Sequence, residues 1–143
     1  MRPSDIRPDL ALKELLEGNI LLQKSDSDTV TIDVYAQGEA PHTGLASEFI
    51  EILINGVVRS ITKPIGVLKG NLAVQVFVKS YEDGSVFQYR IDSIVKQIEE
   101  KVSNVTSGCY FFEFNLDNII TPATTSLTSG YSTQILNVKW HTV

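Results

Sequence analysis

Residues 72–102 read LAVQVFVKSYEDGSVFQYRIDSIVKQIEEKV, and they carry the clearest structural pattern in the chain. Branched aliphatic residues occupy every second position from 72 to 78, a period that predicts a β-strand. After a turn at Asp83 and Gly84, Ser85 stands three residues before Gln88, which is the capping-box spacing of a helix start. Apolar residues then recur every three or four positions and predict a helix over residues 85–102. Its buried stripe consists of Phe87, Ile91, Ile94, Val95, Ile98 and Val102.

Shorter elements on either side of this stretch complete a mixed α and β pattern. A helix is predicted to begin at Pro8 and to end before Gly18, because proline is favoured at the first helical position and glycine after the last. Residues 37–47 contain two glycines, one proline and no periodicity, which predicts a long loop. Apolar or alternating runs predict further strands over residues 19–24, 29–36, 110–116 and 132–142.

Residues 49–63 fit either a helix or a β-hairpin. Apolar residues at helical spacing would end at Asn55-Gly56, a dipeptide that also terminates helices. The hairpin is favoured because both of its arms are rich in β-branched residues and Asn-Gly is typical of a two-residue hairpin turn. In this register Ile54 pairs with Val57.

Together these elements predict an α+β fold in which a mostly antiparallel sheet with a long β-hairpin packs against one long helix and a short N-terminal helix. A chain of 143 residues, 43% of them hydrophobic, has the size and apolar content of one core, so we expect residues 1–143 to form a single domain. Residues 118–131 are rich in threonine and serine and predict a polar loop. Its composition suits either a solvated connector or a mobile arm that orders on a neighbouring subunit.

The net charge of −5 argues against a nucleic-acid-binding surface, because binding to phosphates requires clustered lysine and arginine residues. The sequence contains no apolar segment long enough to span a membrane and no apolar core of a signal peptide. We therefore expect a protein that stays in the cytoplasm of its cell, with neither a membrane partner nor sequence-specific nucleic-acid binding. The single cysteine, Cys109, excludes an internal disulfide and is expected to be buried in an aromatic strand.

No residue pattern in the chain indicates a catalytic, cofactor or metal site. Two histidines and one cysteine are too few and too scattered for a recognisable zinc site. Asp26 and Asp28 resemble the start of a calcium loop, but the glycine and the closing glutamate of that motif are missing. Because any alternating strand has a solvent-facing side, its carboxylates are assigned to that side and no acid–base pair is predicted. The polar strand and loop residues that therefore receive no chemical role are Asp33, Glu48, Glu51, His42 and His141.

The order of the elements resembles that of the tail terminator and tail completion proteins of long-tailed phages. In that family a strand ends in a polar turn, as at residues 79–84, and leads into a helix like residues 85–102. A terminal strand over residues 131–141 is also similar in placement. The resemblance implies a non-enzymatic structural protein that forms a homomeric ring, commonly of six subunits, caps the tail tube and meets the head connector while DNA passes through. It implies synthesis in the host cytoplasm and a final location in the tail or neck of the virion.

Self-association is predicted through two elements that a compact two-layer core does not need, the hairpin over residues 49–63 and the arm over residues 118–131. An acidic subunit suits a DNA-conducting ring because it repels phosphates instead of binding them. The alternative is a cytoplasmic ligand-binding or small enzymatic α+β domain that uses residues 37–47 as a lid. The residues expected at the subunit interface are Phe49, Glu51, Leu53, Val58, Ser60, Thr124, Thr125, Leu127 and Tyr131.

Overall fold

A computed structural model of the chain describes residues 6–41, 44–59, 68–80, 88–120 and 130–143, with the backbone alone for residues 25, 56–59 and 115–120. These residues form an α+β fold with a mostly antiparallel sheet, as the sequence predicts. In chain order the elements are α1 (Pro8–Leu16), β1 (Leu21–Ser25), β2 (Asp28–Thr31), β3 (Asp33–Tyr35), β4 (Glu48–Arg59), β5 (Leu68–Lys79), α2 (Gln88–Val102), β6 (Val105–Ser107), β7 (Tyr110–Ile120) and β8 (Tyr131–Thr142).

The strands form one large sheet and one small sheet. β1 pairs with β2, and the other six strands lie in the order β3-β4-β5-β8-β7-β6. Neighbouring strands in the large sheet are antiparallel except for β3 and β4, which are parallel. The longest ladders join β5 to β4 and to β8. The strand predicted over residues 72–78 therefore lies in the middle of the sheet.

One face of the large sheet, called the inner face, is buried beneath the helices. Ile52, Val74 and Leu136 lie side by side on it across β4, β5 and β8, and all three are fully buried. The predicted apolar stripe of α2 packs into the same core and is confirmed over the described part of the helix, because residues 85–87 lie outside the described residues. The buried residues of α2 are Ile91, Ile94, Val95, Ile98 and Val102.

The short N-terminal helix also forms as predicted. α1 begins at Pro8, and Leu12 and Leu16, one turn apart, are fully buried in the same core. Gly18 follows the helix with a φ of 77°, a conformation that glycine adopts without the steric penalty of a Cβ atom. The backbone thus turns directly from α1 towards β1.

The prediction of a hairpin over residues 49–63 is wrong about its turn, because the chain does not reverse direction at Asn55-Gly56. Residues 48–59 form the single strand β4, in which Ile54 pairs with Leu72 of β5 and not with Val57. The strand β4 advances three residues between Ile54 and Val57 while β5 advances two, so this step contains a β-bulge.

Pairing of β4 with β5 prevails because it extends the inner face. Each buried aliphatic residue of β4 meets a buried aliphatic residue of β5 beneath the helices, as Ile50 meets Val76. A hairpin closed at Asn55-Gly56 would instead pair the β4 residues with one another. The long hairpin of the fold is therefore β4 with β5, and residues 60–67 that join these strands lie outside the described residues.

The strand predicted over residues 29–36 is divided between the two sheets. β2 pairs with β1, whereas β3 joins the edge of the large sheet beside β4. Ile32 lies between them, with its amide donating to the Ile20 carbonyl at 2.9 Å and its side chain buried. The alternation of side chains is the same in both sheets, so the sequence pattern does not reveal this change of partner.

Cys109 is exposed, which corrects the expectation of a buried thiol. The unpredicted strand β6 pairs with β7, and Ser107 lies opposite Tyr110, so Gly108 and Cys109 form the tip of a tight hairpin. Gly108 has a φ of 60°, as such a turn requires. Both residues of this tip are exposed, so the thiol is not part of the core.

Candidate subunit interface

The face of the large sheet opposite the helices, called the outer face, carries the predicted interface residues whose side chains the structure describes, Phe49, Glu51, Leu53 and Tyr131. Its side chains come from the strand residues that alternate with those of the inner face. Glu51, Gln75 and Ile135 lie side by side on it across β4, β5 and β8. The buried apolar side chains of both described helices lie in the inner-face core. Within the described residues, the outer face therefore has no helical cover.

An aromatic cluster occupies one end of the outer face. The rings of Phe49 and Phe77 stack with centroids 4.6 Å apart, and Tyr131 meets both rings edge-on at 5.5 and 6.5 Å. Tyr35 meets Phe49 edge-on at 6.0 Å. The Tyr131 hydroxyl donates to the Ala46 carbonyl at 2.6 Å, and desolvation of this hydroxyl raises its pKa. The cluster is thus a second, small core that holds residues 44–46 against the sheet.

Next to this cluster the outer face is half-buried and mixed in polarity. We call this region the belt; it consists of Glu51, Leu53, Ala73, Gln75, Ile135 and Asn137. Desolvation raises the pKa of Glu51, whose carboxylate forms no ion pair with any described residue. The buried Oδ1 atom of Asn137 has no hydrogen-bond partner among the described residues. Polar groups removed from water without partners cost free energy, and Glu51 and Asn137 carry that cost within the described subunit.

A basic cleft lies at the other end of the outer face. Its volume is about 320 Å³, and β5, β7 and β8 line it. Lys69 lies opposite His141, and Lys139 lies between Asn71 and Glu113 on its two neighbouring strands. The lining residues are Lys69, Gly70, Asn71, Glu113, Lys139, Trp140 and His141.

The structure places four of the predicted interface residues on the outer face of the large sheet. Phe49 and Tyr131 are buried in the aromatic cluster of their own subunit, whereas Glu51 and Leu53 lie in the half-buried belt. The backbone of Val58 pairs with that of Lys69, beside the basic cleft. The other predicted interface residues lie outside the described residues: Ser60, Thr124, Thr125 and Leu127.

A buried ion-pair network was missed from the sequence. Glu48, which was assigned to solvent, is only 2% exposed. Its Oε1 atom accepts a hydrogen bond from Arg90 of α2 at 2.6 Å, and its Oε2 atom lies 2.9 Å from Lys24 Nζ of β1. A signal was present, since Glu48 shares the phase of the inner-face residues Ile50 and Ile52. The network joins the small sheet, α2 and the start of β4, and both carboxylate oxygens have cationic partners.

Asp9 is a second buried carboxylate that the sequence did not reveal. It is fully buried in the first turn of α1 and accepts two hydrogen bonds from Arg7, at 3.0 and 2.9 Å. The backbone amide of Gln37 donates to it at 3.1 Å. Burial opposes ionisation, but these hydrogen bonds together hold the pKa of Asp9 below its ordinary value.

Side chains also fasten the described part of the loop over residues 37–47. Glu39 Oε1 accepts hydrogen bonds from Lys13 Nζ and from the Ala36 amide, both at 2.8 Å. The Ile54 amide, at the start of the β4 bulge, donates to Gln37 Oε1 at 2.7 Å. His42, which was given no chemical role, lies outside the described residues. The first residues of the loop are therefore anchored to α1 and to β4.

The described residues contain no group of three or more histidine, cysteine, aspartate or glutamate side chains that would hold a metal ion. Neither described helix combines the length and the apolar content that crossing a membrane demands. The chain matches no protein-family model and no curated protein. Its candidate function therefore depends on the surfaces described above.

Proposed function

We propose that this protein is a non-enzymatic structural subunit of a phage tail or head–tail connector, similar to the tail terminators. In this proposal it assembles as a homomeric ring of six subunits in the tail or neck of the virion. Its other partners are the proteins of the tail tube and the head connector. The order of the helices and strands, which resembles that of the tail terminator and tail completion proteins, supports this assignment.

The observation that carries the proposal is the belt of the outer face. Leu53 and Ile135 are half-buried apolar residues, and Glu51 and Asn137 lie among them with polar atoms that lack described partners. An antiparallel sheet in a monomer commonly pairs one buried apolar face with one polar, solvated face. A face that mixes apolar and desolvated polar groups resembles a protein–protein interface, where a partner supplies both packing and hydrogen bonds.

The charge of the chain supports the same function. The net charge of −5 gives a ring of these subunits an acidic surface overall, which repels the phosphates of passing DNA. The alternative, a ligand-binding or small enzymatic domain with residues 37–47 as a lid, has less support. The cleft of the outer face is lined by β5, β7 and β8 and not by described residues of that loop.

The mass of the purified protein in solution tests the proposal. Native mass spectrometry and negative-stain electron microscopy are expected to show closed rings of six copies. Leu53→Asp places a charge in the belt and is expected to release folded monomers. Leu21→Asp is the matched control, because Leu21 is 47% exposed on β1 and away from the outer face. A wild-type protein that is monomeric at high concentration, or a ring that tolerates Leu53→Asp, contradicts the proposal.

A deletion tests the predicted arm separately. Removing residues 124–129 is expected to leave a folded subunit that no longer assembles, because a polar arm gains order only on a neighbouring subunit. Residues 118–120 of the predicted arm belong to β7 and Tyr131 belongs to β8, which corrects the bounds of the arm at both ends. Residues 124–129 lie outside the described residues, so the expectation for the deletion comes from the sequence. If the shortened protein forms the same oligomer, the arm is only a connector.

A further inference from the structure

The basic cleft of the outer face has the character of a site for an anionic group. Lys69 and Lys139 are exposed and form no ion pair with any described residue. They are diagonal neighbours across β5 and β8, because Lys69 pairs with His141 and Asn71 pairs with Lys139. Like charges at this spacing repel, and Glu113, the one acidic residue in the lining, lies directly opposite Lys139 and offsets only part of this repulsion. An entering carboxylate relieves that repulsion and also meets the donor group of Asn71.

The turn between β1 and β2 has the opposite character. Asp26, Ser27 and Asp28 are all exposed at the tip of this two-stranded hairpin. The nearest cation along the chain, Lys24, is engaged with Glu48 at 2.9 Å. Exposed carboxylates on α2 differ, because lysines follow them within one turn, as Lys96 follows Asp92. The turn is thus a narrow acidic projection without local compensation.

The turn and the cleft lie too far apart to meet within one subunit. The ion pair of Lys24 with Glu48 fixes the turn near the first residue of β4, on the inner side of the sheet. The cleft lies beside Gly70, which pairs with Val57 near the last residue of β4, and its charged side chains are on the outer face. Nine residues of strand span about 30 Å. The two surfaces therefore occupy opposite ends and opposite faces of the sheet.

We propose that the acidic turn, residues 26–28, of one copy docks in the basic cleft of the next copy. The carboxylates of Asp26 and Asp28 pair there with Lys69 and Lys139. Two complementary surfaces at opposite ends of a subunit make a head-to-tail contact, and repetition of such a contact with the right rotation closes a ring. This inference rests on the proposed ring assembly and identifies the charged contact that links its subunits.

Charge reversal tests this contact. Lys69→Glu with Lys139→Glu, or Asp26→Lys with Asp28→Lys, is expected to raise the concentration at which rings form by about tenfold or more. Combining all four substitutions exchanges the two charges and keeps the net charge at −5, and it is expected to restore assembly. Lys96→Glu with Lys101→Glu is the matched control, since it changes the net charge equally at two exposed lysines of α2. The control is expected to assemble like the wild type.

A cross-linking experiment on the unmodified protein guards against variants that fail to fold. A carbodiimide joins a carboxylate directly to a lysine amine when the two form an ion pair. Mixed light and heavy isotope-labelled subunits are expected to give hybrid cross-links between residues 26–28 and Lys69 or Lys139. The absence of these links in intact rings overturns the docking proposal and leaves the ring assignment standing. Rings that form normally with either charge reversal also overturn the docking proposal and leave the ring assignment standing. A strictly monomeric wild type overturns both proposals.

Discussion

The inner and outer faces of the large sheet are built from alternate residues of the same strands, yet they differ in composition. On β5 the inner face carries Leu72, Val74 and Val76, all fully buried, while the outer face carries Ala73 and Gln75, both half-buried. The helices supply the apolar partner that the inner face requires. The outer face keeps polar groups in half-buried positions. The comparison indicates that the inner face is the main source of apolar burial in the fold, and the proposed assembly depends on the outer face.

The largest expected effect tests the inner face. Ile98→Ala removes fully buried atoms of α2 and leaves a cavity, which is expected to lower the free energy of unfolding by about 2–5 kcal/mol. Gln75→Ala on the outer face of β5 is the matched comparison and is expected to change it by less than about 0.5 kcal/mol. Urea unfolding followed by circular dichroism measures both values. Equal losses would show that the two faces do not differ in the isolated subunit.

A smaller loss is expected when the buried ion-pair network is broken. Glu48→Gln removes the charge that Arg90 and Lys24 share and leaves both cations in partly buried positions. The expected cost is about 1–3 kcal/mol in the free energy of unfolding. Glu100→Gln on the exposed side of α2 is the control and is expected to be nearly neutral. A network that contributes no more than this exposed carboxylate would fail to explain why Glu48 is buried.

The sequence predicts the inner face well because a single interaction, burial of apolar side chains, determines both the pattern and the structure. Ile94 and Ile98 on α2 and Val74 on β5 are placed correctly from their periods alone. Glu48 was assigned to solvent because it is charged, although the alternation of the strand places it on the same face as the buried Ile50. The partners that neutralise it, on α2 and β1, are distant in the sequence. No local pattern contains that information.

Strand pairing was less predictable than strand position. Asn55-Gly56 is a strong local signal for a turn, but the long ladder with β5 overrides it and converts the dipeptide into a bulge. In the same way Ile32 continues an alternation while the chain passes from one sheet to the other. The outer face was even less accessible from the sequence, because its character depends on which half-buried residues lie side by side. The register that brings Glu51 next to Gln75 was not foreseen.

The comparison extends to the effect of pH through two carboxylates. Asp9 accepts several hydrogen bonds, whereas Glu51 forms no ion pair with any described residue. Hydrogen bonds from Arg7 and Gln37 overcome the burial of Asp9 and lower its pKa in the folded state. In the pH range between the folded and unfolded values the unfolded chain binds more protons, so stability rises with pH. The stabilisation is present above about pH 5 and is lost below about pH 4 as the pH falls towards the folded pKa.

Asp9→Asn is therefore expected to lower the free energy of unfolding at pH 7 and to remove part of the acid sensitivity. Urea unfolding at several pH values between 3 and 7 measures this dependence. Glu14→Gln, on the exposed side of the same helix, is the control and is expected to keep the wild-type pH profile. An Asp9→Asn profile parallel to that of the wild type would show that this carboxylate does not titrate with folding.

The smallest expected effect is that of Glu51, whose contribution to the pH dependence of stability has the opposite sign to that of Asp9. Desolvation raises the pKa of Glu51 in the folded subunit, so the folded state binds more protons than the unfolded state around that pKa, and stability falls as pH rises. Glu51→Gln removes the ionised carboxylate and is expected to stabilise the dissociated subunit at pH 7 by less than about 1 kcal/mol. At pH 3 the wild-type carboxyl is already protonated in both states, so the difference between the two proteins is expected to vanish. Urea unfolding below the concentration of assembly measures it at both pH values. A stabilisation that persists at pH 3 comes from packing and not from charge, and a destabilisation at pH 7 means that the carboxylate has a favourable partner within its own subunit.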